Sequence, residues 1–353
     1  MMHFRFTTWG FGELALHGRA LSRKSKIASR KCKPGLISVT LLFLYLLSPL
    51  LSGQTAPGPG VPKRIISLIP AVTEMLYAIG AGNEVVGVSS FDSFPPEVKN
   101  RPSVGALVDP DFERILSLKP DLVVVYGTQT DLITRLERAK VSMYRYQHAG
   151  LADITTTIRQ LGKRIGRVDQ ATTVAERIDG DIEEIRLIVA GRARPKTALI
   201  FGREPGTLRS LYASAGVGFM HDMLVAAGGD DVFDDVKRQS LQATTEVLLA
   251  RAPEVIIEAH AGESWTAERL KRERAVWNAL PSLPAVRSGR IYLLADDRLS
   301  IPGPRVADAI RVIARALHPG AFLIKAPDSA FSTFDFRLSI SKTDESTARL
   351  VVR

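Results

Sequence analysis

Cysteine is nearly missing: among 353 residues it occurs once, as Cys32. A chain that begins after residue 56 therefore has no thiol to form a disulfide, hold a soft metal or attack a substrate. Histidine is scarce too, six in all, and beyond the first residues only His148, His221, His260 and His318 remain. None stands three or four residues from another, which argues against the usual paired-histidine zinc or manganese site. No G-x-S-x-G nucleophile elbow occurs, and "FGREPG" (201–206) lacks the Lys-Ser/Thr pair of a phosphate loop. "GAGNEVVG" (80–87) has glycines spaced somewhat like a dinucleotide loop, but it follows a helical pattern and leads into a strand pattern, the reverse of what pyrophosphate binding uses. Ser67, Ser89, Ser90 and Ser214 have no evident base. Little is left for catalysis to use, and the expected catalytic and metal sets are both none.

Charge is present but unevenly placed. The formal net charge is +10, yet residues 1–56 hold eight Lys/Arg (Arg5, Arg19, Arg23, Lys24, Lys26, Arg30, Lys31, Lys33) against Glu13 alone, so the remainder carries only +3. No nucleic-acid partner is expected. The basic stretch leads into the apolar run "GLISVTLLFLYLLSPLL" (35–51), and the whole of 1–56 reads as an export leader, with an uncleaved membrane anchor as the alternative. Cys32 precedes that run, so no lipid-anchoring cysteine follows it. The protein is expected outside the cytoplasm, periplasmic or otherwise extracytoplasmic, as a monomer.

"PGPGVP" (57–62) is a stiff linker, and a globular pattern starts at Lys63. A short strand at 64–69, a helix begun by Pro70 and stopped by Gly80 to Gly82, a strand at 84–90, a helix beginning with Asp109 as N-cap and Pro110 at its first position, and a strand at 121–127 follow one another. A helix near 130–140, a strand at 141–146 and a helix from 151 to 165 complete one α/β lobe, 63–167. Between 168 and 194, Val174, Ile178, Ile182, Ile185 and Val189 recur at intervals of three and four with charged residues between them, which predicts one long amphipathic helix. The alternation resumes at 195–318: strand 197–202, helix 218–227, helix 244–251, strand 254–259, an outer helix 265–279 bearing Trp265 and Trp277, strand 290–295 and helix 303–317. The fold class is thus α/β, two Rossmann-like lobes with parallel-rich sheets joined by a single long helix. "FDFRLSIS" (334–341), in a C-terminal extension 319–353, alternates like an edge strand.

One phrase is written twice. Sliding "DPDFERILSLKPDLVVV" (109–125) by 133 positions lays Glu113 on Glu246, Pro120 on Pro253 and Val123-Val124 on Ile256-Ile257. A first-turn acid has an ordinary excuse in the helix dipole. Two copies at one register present the acids at equivalent places on two lobes, as a twofold partner would recognise them.

"RIISLIPAVTEMLYAIGAGNEVVGVSSFDSFPPE", "SVGALVDPDFERILSLKPDLVVV", "FGREPG", "AAGGDDVF" and "TTEVLLARAPEVIIE" together resemble the cobalamin and iron-chelate (siderophore, haem) binding proteins of ABC importers, the cobalamin-binding branch nearest. The similarity runs through residues 63–318. It implies a helical-backbone substrate-binding protein with its ligand between the lobes, and as partners an ABC permease dimer with its ATPase subunits. Glu113 and Glu246 match acids that pair with arginines of the two permease subunits. Phe91 and Tyr126, with Gly127 beside it, match ligand-packing positions, and Asp297 matches a polar contact. Leu107 and Ser240 stand where the cobalamin proteins have tryptophans, and Ile301 where they have an arginine. The segment 201–216 is longer than theirs and is expected to carry Arg203, Arg209 and Tyr212 towards the cleft. No catalytic cofactor is implied; the ligand is a corrinoid, with haem or a ferric siderophore as the alternative. The competing class is an exported hydrolase of a small ester or glycan using Asp92, Glu204 and Asp297, whose spacing matches no motif.

Overall fold

In the computed structural model, which describes residues 60–260 and 265–322, the first four strands make a wholly parallel sheet. They are Ile65–Ser67 (β1), Val85–Val88 (β2), Leu122–Tyr126 (β3) and Met143–Tyr146 (β4), in the order β2-β1-β3-β4. Crossovers run through helices Pro70–Ala78 (α1), Phe112–Ser117 (α2) and Thr130–Arg138 (α3), and Ala152–Arg164 (α4) follows the last strand. Leu122 to Val125 are buried on both faces, which is why β3 is an unbroken apolar run rather than an alternating one. The leader 1–56 and the strand expected at 334–341 lie outside the described residues.

Val168–Val189 (α5) then spans 22 residues, about 33 Å at the standard rise. Its buried stripe is Ala171, Val174, Ala175, Ile178, Ile182, Ile185 and Val189, the periodicity read from the sequence, and Gly191 ends the turn with φ 69°. The second sheet contains Lys196–Gly202 (β5), Leu211–Ser214 (β6), Asp230–Asp231 (β7), Ser240–Ala243 (β8), Val255–His260 (β9) and Ile291–Ala295 (β10), ordered β10-β9-β5-β6-β8 with β7 also on β5. Helices Phe219–Ala226 (α6), Thr245–Arg251 (α7), Ala267–Ala275 (α8), the short Pro284–Arg287 (α9) and Val306–Leu317 (α10) cover it. β5, β9 and β10 are parallel, whereas β6 runs antiparallel to both β5 and β8. Sequence patterning assigned no strand between 203 and 216. Instead the segment turns back as a hairpin and extends the sheet, and strands of four residues are too short to declare a period.

Alternate residues of this sheet face two different cores. Leu199, Val255 and Ile257 join an apolar cluster that continues through α5 to Ile158, Val123 and Met75 of the first lobe. Ala198, Ile200 and Ile256 face the opposite way, onto Phe233, Leu211 and Trp277. Trp277 is fully buried in that second core, not on an outer face as the sequence pattern predicts. The two sheets therefore share one core through the connecting helix.

The repeated phrase is a repeated structure. Asp111 caps α2 by accepting from the Arg114 N–H (2.9 Å), and Thr244 caps α7 by accepting from the Val247 N–H (3.3 Å), 133 residues on. Asp111, not Asp109, is thus the cap: the chain stays extended through Pro110. Lys119 and Ala252, again equivalent, leave their helices in left-handed backbone at φ 47° and 49°. Asp121 then accepts from the Lys63 N–H (2.7 Å) and Glu254 from the Lys196 N–H (3.3 Å), tying the start of each central strand in the same way.

Candidate functional site between the lobes

The carboxyl ends of parallel strands gather loops that can meet a ligand. In this fold the loops of the two sheets also meet each other. Glu74 is on α1, and its side chain is only 3% exposed. It receives both arms of Arg305, from the loop before α10, at 2.9 Å (Nε to Oε2) and 2.5 Å (Nη2 to Oε1). Arg305 also donates to Asp297 at 3.3 Å, Ser93 Oγ donates to Asp297 at 3.4 Å, and the guanidinium lies 4.1 Å from the Phe94 ring centre. Gly303 makes room for this: a Cβ there would stand 3.1 Å from Glu74 Oε2. A second seam forms where Asp222 of α6 accepts from the Leu151 N–H (2.8 Å) and Phe219 meets His148 edge to face (5.4 Å between centres).

Burial sets the electrostatics of the seam. It pushes the Glu74 carboxyl above its ordinary value, an effect the bonds and charge of Arg305 only partly offset. Burial opposes the charge of Arg305 as well, but Glu74 and Asp297 together hold it above its usual range. Asp92, behind Glu74, is pushed up to about 7 by burial and by the charge of Glu74, against the pull of Thr73 and the Ser89 N–H (2.7 Å). Its other oxygen is buried without a partner.

The positions expected from sequence fall in several places. Phe91 is 56% exposed beside this seam, in the loop that also carries Asp92, Ser93 and Phe94. Tyr126 ends β3 half-buried, edge-on to Tyr146 at 5.7 Å, and the Gly127 N–H donates to the Tyr146 carbonyl (2.9 Å). Asp297 joins the seam from the other lobe. Leu107 is partly exposed, with its carbonyl accepting from Gln129 (2.7 Å); Ile301 packs against the shared core. Ser240 begins β8, half-buried and paired with Ser214. Arg203 is not free for a ligand, contrary to the sequence expectation. Its side chain is 2% exposed and is held by Glu258 (3.0 Å), Glu273 (2.8 Å), the Thr207 carbonyl (3.1 Å) and the Glu273 carbonyl (3.0 Å). Glu258 is itself held by His260 (2.9 Å) and Trp277, so the cluster serves the interior of the second lobe. Glu204 lies exposed on the adjoining turn and is not brought to Asp92 and Asp297 as a hydrolytic pair would need. Among the described residues no group of three His, Cys, Asp or Glu could hold a metal ion.

Glu113 and Glu246 occupy the same helical position, and both are exposed. Glu113 lies 3.6 Å from Arg135; Glu246 accepts from Thr245 (3.2 Å), and bonds from Thr244 foremost hold its carboxyl below the usual range. Glu74 and Arg305 are the pair that sequence reasoning missed. A glutamate among apolar residues of a first helix, in P-A-V-T-E, is the signal that could have marked it, since a buried acid needs a cation.

Two sheets on one helical strut, with aromatic and polar side chains where their loops meet, make the region between the lobes the candidate ligand site. The profile of the family described as periplasmic binding protein matches residues 65–297, and the chain belongs to that family. It is 30% identical over 257 residues to a vitamin B12-binding protein of Salmonella typhimurium, covering 72% of this chain and 90% of that one. It is 26% identical over 266 residues to an uncharacterised ABC transporter substrate-binding lipoprotein, YvrC, of Bacillus subtilis (74% and 82% covered). Among solved structures, the periplasmic haem-binding protein RhuT of Roseiflexus sp. RS-1 superposes with a TM-score of 0.63 at 25% identity, covering 73% and 99%. The chain is a substrate-binding protein of the ABC transporter kind, and its relatives bind rather than catalyse. Among the described residues no helix is long and apolar enough to cross a membrane.

Proposed function

We propose that this protein is exported and captures a corrinoid between its lobes for delivery to an ABC permease dimer driven by its ATPase subunits. The observation that carries the reading is the placement of Phe91 and Tyr126 by the interlobe seam. Phe91 is exposed in the loop whose Ser93 and Phe94 meet Asp297 and Arg305, and Tyr126 ends β3 half-buried against Tyr146, whose neighbour His148 meets Phe219 of the other lobe. Flat, large ligands are held by such aromatic faces, with a few polar groups to fix orientation. The vitamin B12-binding relative favours the corrinoid; the haem-binding neighbour keeps haem as the second reading. Glu113 and Glu246 are the proposed docking acids, one for each permease subunit. Titration calorimetry with cyanocobalamin, haem and a ferric siderophore tests the ligand class. Binding of one of them, weakened by about 1–3 kcal/mol in Phe91→Ala or Tyr126→Ala, is expected from the area of a ring removed from water. Binding of none overturns the ligand class.

A further inference from the structure

Away from the lobe seam, the end of the connecting helix gathers cations for which ligand capture has no use. A cavity of about 270 Å³ lies there, lined by Arg186 and Val189 of α5, by Arg192 and Arg194 just beyond it, and by Val225 and Ala226 of α6. Among the described residues no acid lines it, and nothing lies within 4 Å of where a Gly191 side chain would begin. Arg194 stands two residues before β5, at the amino end of that strand. The proposed ligand region is at the other end, since parallel strands gather their ligand loops at their carboxyl ends. Between the two ends β5 runs for seven residues, about 20 Å.

Part of this charge has a structural task. Arg192 Nε donates to the Ile188 carbonyl (3.1 Å), and Arg194 Nη2 donates to the Val225 (3.2 Å) and Gly229 (2.6 Å) carbonyls, so the two arginines close the last turns of α5 and α6. Each helix end carries about half a negative charge, so the two ends offset about one of the three cations and leave roughly two. Glu183, 3.5 Å from Arg186 with both side chains more than half exposed, offsets little of the remainder. Donors are left over as well. The terminal nitrogens of Arg192, and Nε and Nη1 of Arg194, have no partner among the described residues. One nitrogen per arginine suffices for a cap, and capping accounts for Arg186 not at all. The positive field also reaches inward: burial first, then the charges of Arg192, Arg290 and Arg194, hold the His318 imidazole below its ordinary value, against its bond to the Gly228 carbonyl (3.2 Å).

We propose that this cavity binds a phosphoryl group, carried by a small phosphate ester or by the headgroup of an anionic phospholipid. The unused edges of Arg192 and Arg194 donate to its oxygens, a pairing that planar guanidinium groups suit better than an ammonium does, and Arg186 faces it from α5. A phosphate monoester carries about −1.5 to −2 at neutral pH, which matches the charge left over, whereas a carboxylate supplies half of it. Val189, Val225 and Ala226 receive the carbon part of the ester. The volume lies below the roughly 300–1,000 Å³ of sites for drug-sized ligands, so a corrinoid or haem is excluded from it. An occupant touching Arg192 and Arg194 together joins the end of α5 to α6 and steadies the connection between helix and second lobe.

Titration calorimetry of the full chain with inorganic phosphate and glycerol 3-phosphate tests this, with acetate at matched ionic strength as the control anion. One of the phosphates is expected to bind with a dissociation constant of about 1 mM or tighter, and acetate about tenfold more weakly or worse. Arg186→Gln caps no helix and should bind about fivefold more weakly while keeping the wild-type melting temperature; Arg186→Gln with Arg192→Gln should abolish binding. Sedimentation with vesicles of phosphatidylcholine alone or mixed with phosphatidylglycerol forms the second arm, read as the difference between wild type and variants because the apolar leader is common to both. Loss of phosphatidylglycerol-dependent sedimentation in the variants, without binding of the soluble esters, assigns the site to a lipid headgroup; binding of the soluble esters alone assigns it to a free ester. If neither arm distinguishes wild type from the variants, or if acetate binds as tightly as phosphate, the proposal is overturned and the arginines are helix caps. Where the double variant does not fold, Arg186→Gln alone decides: unchanged binding overturns the assignment and weakened binding upholds it. Capture between the lobes enters neither arm, so the outcome is independent of the ligand class.

Discussion

Replacing Asp92 by Asn should flatten the pH dependence of stability. The carboxyl sits at about 7 in the folded chain, raised by burial from an ordinary value of 3.8. Unfolding returns it to the ordinary value, so between those limits the folded chain holds a proton that the unfolded chain releases. The contribution is therefore fully present below pH 3.8 and lost as pH rises through about 7. At about 1.4 kcal/mol per unit the shift corresponds to roughly 4 kcal/mol, and relaxation around an ionised Asp92 brings the expected figure to roughly 2–4 kcal/mol. Asn keeps an oxygen for the Ser89 N–H and cannot ionise. Glu74 and Asp231 are also raised by burial and slope the same way, but they are present in both proteins and largely cancel in the difference. Urea unfolding from pH 4 to 8.5 at constant ionic strength measures it. Asp92→Asn should gain on the wild type steadily above pH 5, by that amount at pH 8. Parallel stability curves for the two proteins would refute the burial of a proton at Asp92.

Arg305→Ala should destabilise by about 3–5 kcal/mol because it leaves Glu74 buried without its cation, while the double change Glu74→Gln with Arg305→Met should cost clearly less; chemical unfolding of all the variants gives the coupling. Trp277→Ala should cost about 3–5 kcal/mol by emptying the second core and should leave ligand affinity in the surviving folded protein unchanged, as read by calorimetry. Glu113→Arg and Glu246→Arg should each reduce transport in liposomes containing the cognate permease, the double change most, with ligand titration unaltered. Normal transport by the double variant would leave both acids as helix-terminal charges and nothing more.

What sequence disclosed here followed period and punctuation. The three-and-four spacing of Val174 to Val189 announced α5, and the doubly apolar Val123-Val124 announced an inner parallel strand, because one surface pattern admits one burial. The doubled phrase announced matching helix and strand pairs, down to the left-handed Lys119 and Ala252 that no pattern named. Position across the seam was illegible for a physical reason. Glu74 and Arg305 are separated by 231 residues, and nothing local to either identifies the other. Arg203 shows the opposite error. A cation in a glycine-bearing hairpin looks available, but whether it is depends on Glu258 and Glu273, far along the chain. Trp277 was misplaced because α8 gives way to a single 3-10 turn at residues 276–279, which rotates the ring from the helix surface into the core.

The helix joining the lobes has a consequence for traffic. A strut of 22 residues that shares its buried face with both sheets, reinforced by the Glu74–Arg305 tie, should hold Glu113 and Glu246 at a separation that ligand alters only slightly. Under the docking proposal, loaded and unloaded protein then offer the permease almost the same pair of acids. Unloaded copies would compete for the transporter instead of being turned away, so uptake at low ligand would fall as the protein is overproduced. Selection for cargo would have to act after docking, at the rate of release, and the quantity the cell must control is the ratio of binding protein to permease.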